Sequence, residues 1–128
     1  MKLLLDTHVV LWALEGERSL SPELMHSLRA LPRAALFVSA ASLWEIAIKA
    51  AKGKLRAPSD LPARLRSDGF EILAVSAEHA WSIRSQPPFI RTKDPFDRLI
   101  VAQALSEGLT LATRDAALLR SGVDVMRA

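Results

Sequence analysis

Short apolar runs fall at residues 2–5, 36–38, 71–75 and 109–112, with 123–126 as a weaker fifth. They lack the strict polar–apolar alternation of a half-solvated strand, which suits strands covered on both faces, as in a parallel sheet. Helical patterns lie between them. Residues 7–14 follow the first run, and 22–30 carry Leu24 and Leu28, with Leu31 just beyond, at helical spacing. Residues 40–51 are apolar on nearly every side and stop at Gly53, and 61–67 make a short candidate. Residues 77–84 begin after Ser76, a good N-cap. Residues 95–107 have Asp94 to cap them, Pro95 at the first helical position and Gly108 at the end. A last short helix is predicted over 116–120. Strands alternating with helices predict an α/β fold with a mainly parallel sheet of four or five short strands.

Composition narrows the class. At 128 residues, 50% hydrophobic and 24% charged, the chain is expected to form one domain over residues 1–128, with its own core. There is no cysteine, which removes disulfides, thiolate–metal sites and a Cys nucleophile from consideration. The longest uncharged stretch, 34–44, is far below the roughly 20 residues of a membrane span. Met1 to Leu5 starts like a signal peptide, but Asp6 and His8 interrupt it. The expected location is the cytoplasm, with no membrane partner. A net charge of +3 permits a nucleic-acid partner without requiring one.

In parallel sheets, ligands sit beyond the carboxyl ends of the strands, and acids are placed there. Asp6 immediately follows the first strand, and Asp115 lies three residues past the end of the fourth. Asp97 opens the 95–107 helix, and Glu45 lies within the helix leaving the second strand. Four carboxylates gathered at one spot repel each other unless a cation neutralises them. Oxygen-only donors select Mg²⁺ or Mn²⁺ over zinc, and one or two such ions suit in-line hydrolysis of a phosphodiester. Each acid also has a local explanation. Asp6 and Asp115 can cap the helices after them, and Asp97 can complement its own helix dipole. Ser42-Leu43-Trp44-Glu45 spells a capping box, and Glu45 can pair with Lys49. Ser42, Glu45, Lys49 and Lys52 form one polar stripe on a mostly buried helix, so Glu45 is expected to face solvent, a cleft or a partner.

Four blocks then carry a resemblance: Leu3-Leu4-Leu5-Asp6-Thr7-His8; Ser39-Ala40-Ala41-Ser42-Leu43-Trp44-Glu45-Ile46; Asp94-Pro95-Phe96-Asp97-Arg98-Leu99-Ile100-Val101-Ala102-Gln103-Ala104; and Leu111-Ala112-Thr113-Arg114-Asp115. In this order, and over nearly the whole chain, the sequence resembles PIN-domain proteins, most of all the compact bacterial VapC-type toxins. The resemblance implies a three-layer α/β/α sandwich and a metal-dependent ribonuclease acting as the toxin of a type II toxin–antitoxin pair. It implies Mg²⁺ or Mn²⁺, an RNA substrate, a homodimer and a small VapB-like antitoxin. Asp6, Glu45, Asp97 and Asp115 match the family's four catalytic and metal-binding acids in turn. Asp94 is assigned to the helix cap rather than to the metal. Thr7 and Thr113 stand beside ligands, where they can hydrogen-bond a carboxylate or simply form turns.

Around these acids, Lys49, Lys52, Lys54, Arg56, Arg91, Lys93, Arg98 and Arg114 are expected to attract a polyanion. His8 is read as a packing residue, and His26 and His79 lack metal-ligand spacing. Trp12, Trp44 and Trp81 are read as core or dimer-interface residues. Exposed apolar side chains at Trp12, Leu14 and residues 22–30 are expected, as a candidate antitoxin groove. Two alternatives stand beside the nuclease. An aspartyl-nucleophile phosphatase would want a second acid where His8 stands. A non-catalytic RNA- or partner-binding module would use the same surface without cleavage.

Overall fold

The computed structural model describes residues 1–16, 20–88, 90, 93–120 and 122–128. Strands β1 (Leu3–Leu5), β2 (Leu36–Ser39), β3 (Glu71–Leu73), β4 (Thr110–Thr113) and β5 (Val125–Arg127) form one sheet in the order β3-β2-β1-β4-β5. Every pairing is parallel, with Leu4 opposite Phe37 on one side and Leu111 on the other. The helices are α1 (Thr7–Leu14), α2 (Pro22–Ala30), α3 (Ala40–Ala51), α4 (Leu61–Ser67), α5 (Ala77–Ser82) and α6 (Pro95–Glu107).

Successive side chains of a strand point to opposite faces, and this splits the core in two. Leu3, Leu5, Leu36, Val38, Ala112 and Met126 pack with Val9, Val10, Leu24, Ile46 and Leu65 from α1 to α4. Leu4 and Leu111 pack on the other face with Ile100, Val101 and Ala104 of α6. The result is a three-layer α/β/α sandwich. Burial on both faces explains why the strands read as unbroken apolar runs.

Three details depart from the sequence reading. The helix expected over 77–84 ends as α5 at Ser82 and tightens into a 3₁₀ turn, Ile83–Ser85. Pro87 and Pro88 follow, and neither can continue a helical hydrogen-bond ladder. The segment Ala116–Arg120 is likewise 3₁₀ rather than α. The Ser42 capping box does not form, because Ser39 is the N-cap of α3 and its hydroxyl accepts from Ala41 N–H. Elsewhere the expected ends hold: Ser76 and Asp94 cap α5 and α6, and Gly108 closes α6 in the left-handed region at φ 65°.

The strand order reverses direction between β1 and β4, the crevice where doubly wound sheets bind ligands. Asp6 N–H donates to Ala112 O at 3.0 Å and stitches the end of β1 to that of β4. Helix α3, leaving the neighbouring β2, packs against α1 and α6. The first turns of three helices therefore surround this end of the sheet. Among the described residues no helix is long and apolar enough to cross a membrane.

Candidate active site

A cleft of about 190 Å³ opens at this edge, and Asp6, Glu45, Asp94, Asp97 and Asp115 all line it. The four acids singled out from the sequence thus reach one cavity from four separate segments.

Each is held differently. Asp6 Oδ1 accepts from Thr7 N–H at 2.8 Å, and Oδ2 accepts from the Thr113 hydroxyl at 2.7 Å. Asp6 therefore caps α1 and faces the cleft at once. Thr113 Oγ1 also accepts from Asp115 N–H at 3.0 Å, so a single hydroxyl orients two of the acid-bearing segments. Thr7 Oγ1 donates to Ser42 Oγ at 3.0 Å, joining α1 to α3 one turn before Glu45. Glu45 is 3% exposed. Lys49 Nζ reaches its Oε2 at 2.5 Å, while its buried Oε1 has no partner among the described residues. Asp115 Oδ2 pairs with Lys93 Nζ at 2.6 Å, and its Oδ1 caps the following turn through Ala117 N–H. Asp94 Oδ1 accepts from Asp97 N–H at 2.9 Å, the cap assigned to it from sequence.

Electrostatics report the crowding. Burial first, and then the charges of Asp6, Asp94, Glu45 and Asp115, together raise the Asp97 carboxyl to about 7. Burial raises Asp6 too, with Glu45 adding to it and the Thr113 and Thr7 hydrogen bonds opposing it. Asp115 moves the other way, held low by its hydrogen bond from Lys93. The hydrogen bonds to Glu45 and Asp115 raise Lys49 and Lys93, with Asp94 and Asp97 contributing at longer range. Among the described residues, no three Asp, Glu or His side chains stand close enough together to bind one ion in this arrangement. Two of the acids are instead turned towards lysines.

The basic residues separate into two groups. Lys49 and Arg114 line the cleft, and Lys93 reaches into it through Asp115. Lys52, Lys54 and Arg56 do not line it, because α3 ends at Ala51 and the chain turns away at Gly53. Arg98 points elsewhere as well, its Nε donating to Gln86 Oε1 at 3.3 Å. Arg91 lies outside the described residues.

Aromatic residues also correct the sequence reading. His8 is exposed at the cleft rather than packed, and stacks on Trp12 with centroids 5.9 Å apart. Arg114 lies 4.0 Å over the same indole, which packs against the core. Trp44 and Trp81 are 60% and 70% exposed, so neither is core. Trp44 meets Phe96 edge-on, bridging α3 and α6 beside the cleft. His26 is exposed, while His79 is buried and bonded to Glu107 at 2.8 Å.

Sequence reasoning missed Ser39 and Gln103. Both are fully buried. The Ser39 hydroxyl donates to Gln103 Oε1, and Gln103 Nε2 donates to Ala74 O at 3.2 Å. This ties α6, which carries Asp97, to the start of α3, which carries Glu45. The available signal was a lone amide among Ile100, Val101, Ala102 and Ala104.

Solved structures share this fold. VapBC2 from Rickettsia felis, bound to a DNA fragment from its promoter, aligns with a TM-score of 0.69 and 17% identity over 98% of each chain. FitAcB from Neisseria gonorrhoeae gives 0.64 and 26% identity, over 98% of this chain and 96% of its own. A toxin–antitoxin complex from Klebsiella pneumoniae gives 0.65 and 21%, over 98% and 97%. No curated protein matches the chain. The family model of the PIN domain matches residues 3–122, and the chain therefore belongs to the PIN domain family.

Proposed function

We propose that this chain is a Mg²⁺- or Mn²⁺-dependent endoribonuclease, the toxin component of a type II toxin–antitoxin pair. Asp6, Glu45, Asp97 and Asp115 are its catalytic and metal-binding acids. The observation that carries this reading is the convergence of these carboxylates on one cleft, where burial and then their mutual repulsion hold the Asp97 carboxyl at about 7. A fold gains nothing locally from such crowding. It is intelligible if a cation is to be received there.

The donor set fits a hard divalent ion. All the acids are oxygen donors, and Glu45 presents a buried oxygen with no protein partner among the described residues. Asp6, Glu45 and Asp97 would hold the ion, with Asp115 completing the set or serving a second. When bound, such an ion supplies a Lewis acid for the phosphoryl oxygen and an acidified water for in-line attack.

The chain's own residues do the rest. Thr113 and the Thr7 N–H fix both Asp6 oxygens, so that carboxylate keeps one orientation. The Thr7–Ser42 bond sets the height of α3 and hence of Glu45. Lys49, Lys93 and Arg114 give the acidic cleft a cationic margin along which a polyanionic backbone can approach. No protein nucleophile is needed, which suits a chain without cysteine.

Purified protein incubated with a defined transcript is expected to cleave it in Mg²⁺ or Mn²⁺ and not in chelator. RNA binding without cleavage in either ion would make this a binding module instead.

A cytoplasmic homodimer held in check by a small VapB-like antitoxin completes the proposal, supported by likeness to a toxin–antitoxin complex. The apolar side chains expected to stand exposed are in fact engaged with the core: Leu24 of α2 is fully buried, and Trp12 and Leu14 of α1 are half-buried and pack against it, leaving only their outer edges for a partner. Trp12→Ala is expected to weaken cognate antitoxin binding about tenfold by calorimetry, as loss of one aromatic anchor does. Unchanged affinity would remove Trp12 from the groove.

A further inference from the structure

We propose that Lys49 and Lys93 are resident counter-ions of the cleft, which a divalent cation displaces from Glu45 and Asp115. The inference rests on the metal-dependent reading above and adds two residues to it.

The two pairs are built alike from unrelated pieces of chain. Lys49 Nζ lies 2.5 Å from Glu45 Oε2, one helical turn away on α3. Lys93 Nζ lies 2.6 Å from Asp115 Oδ2, across 22 residues of sequence. Each ammonium thus sits on a carboxylate assigned to the metal.

The first pair is unequal in freedom. The Glu45 side chain is 4% exposed and that of Lys49 35%, whereas in the second pair Lys93 is 25% and Asp115 32% exposed. The Glu45 carboxylate is held in place, whereas each lysine ends a flexible stem that opens to water. An ammonium leaving its acid regains hydration at little expense, since ion pairs at such exposure are weak. The first pair also leaves coordination incomplete, whereas Asp115 Oδ1 already accepts from Ala117 N–H. Lys49 takes one Glu45 oxygen, and the other, Oε1, is buried without a partner among the described residues. A single hydrogen-bonded ammonium does not satisfy a buried carboxylate, whereas a cation drawing on both oxygens would. Taken together, the lysines neutralise part of the acidic crowding and yield to a stronger charge.

A purely structural role predicts the opposite response to mutation. If the lysines only hold the acids in place, removing one loosens a ligand and weakens metal binding. If they are counter-ions, removing one eliminates a competitor and tightens it. Mn²⁺ binding to the full chain, without RNA, is measured by calorimetry at fixed pH and salt for wild type, Lys49→Met, Lys49→Arg and Lys93→Met. Each Met variant is expected to bind Mn²⁺ about fivefold more tightly, with Lys49→Arg close to wild type. Thermal unfolding gives a second readout. The Met variants should melt below wild type in chelator, and the gap should close in saturating Mn²⁺. Unchanged or weaker Mn²⁺ binding in both Met variants overturns the counter-ion role while leaving the metal site standing. Failure of wild type to bind Mn²⁺ overturns both.

Discussion

Asp97→Asn is expected to lower RNA cleavage by on the order of a hundred- to a thousandfold, and to make the metal-free protein more stable at pH 8. The second half follows from the burial of this carboxyl and the charges crowded around it. The folded-state carboxyl of Asp97 lies at about 7 against an ordinary 3.8. Between these values the folded chain keeps a proton that the unfolded chain has released. Stability therefore falls as pH rises through that window, and the penalty is complete above 7. Asn carries no charge and escapes it. For a half-buried group screened by solvent, the gain is on the order of 1 to 2 kcal/mol. Urea unfolding in chelator should show the variant ahead of wild type at pH 8 and level with it near pH 4. Asp6 is raised in the same direction, so the variant retains a weaker dependence of the same sign. Full cleavage by purified Asp97→Asn would remove Asp97 from the catalytic set. Equal stability at pH 8 would remove the electrostatic account of the cleft.

Much of this cleft was legible because its components are local. A strand followed by Asp6 places a carboxylate at a sheet edge wherever the strand lies, and the Asp94-Pro95 cap fixes the register of Asp97 on its helix. The parallel sheet was legible for the same reason. Runs such as Leu3-Leu4-Leu5 are apolar at adjacent positions, which only burial on both faces rewards. Partner choice was not legible. Glu45 pairing with Lys49 follows from helical spacing, but Lys93 with Asp115 depends on how the segment before α6 crosses the end of β4. The cationic margin was overestimated for that reason. Lys52 and Lys54 share the polar stripe of Glu45 in sequence, yet α3 ends before they can reach the cleft. Exposure of Trp44 and Trp81 was illegible too. Period marks a helix, but which side meets the sheet is decided by its neighbours.

The lysines and Asp97 express one arrangement. On the proposed reading the cleft receives a strong cation, and without one it is a poor place for five carboxylates. Partial remedies surround it: hydrogen bonds on Asp6, ammonium groups on Glu45 and Asp115, and a raised carboxyl at Asp97. None removes the strain entirely. Stability held below its maximum at such a place is a common companion of function.

Gln103→Leu is expected to cost the fold about 2 to 4 kcal/mol although it replaces a polar residue with an apolar one in the core. The side chain is fully buried and both ends are engaged, Oε1 by the Ser39 hydroxyl and Nε2 by Ala74 O. Leucine has similar bulk but satisfies neither, so the buried Ser39 hydroxyl loses its acceptor and the carbonyl of the exposed Ala74 loses a donor. The loss is directional as well as energetic. Ser39 caps α3 through Ala41 N–H, and without Gln103 its hydroxyl is no longer fixed from the side of α6. A cycle with Ser39→Ala separates this from bulk effects. Ser39→Ala alone removes the cap and leaves Gln103 Oε1 unpaired. The double variant has two fewer orphaned groups than the two singles together, since neither Gln103 Oε1 nor the Ser39 hydroxyl is left behind, so it should be less destabilised than their sum by about 1 to 2 kcal/mol. Urea denaturation of the four proteins measures the coupling. Additive losses would mean that Ser39 and Gln103 act separately, and that the spacing of α3 and α6, and with it that of Glu45 and Asp97, is set by apolar packing instead.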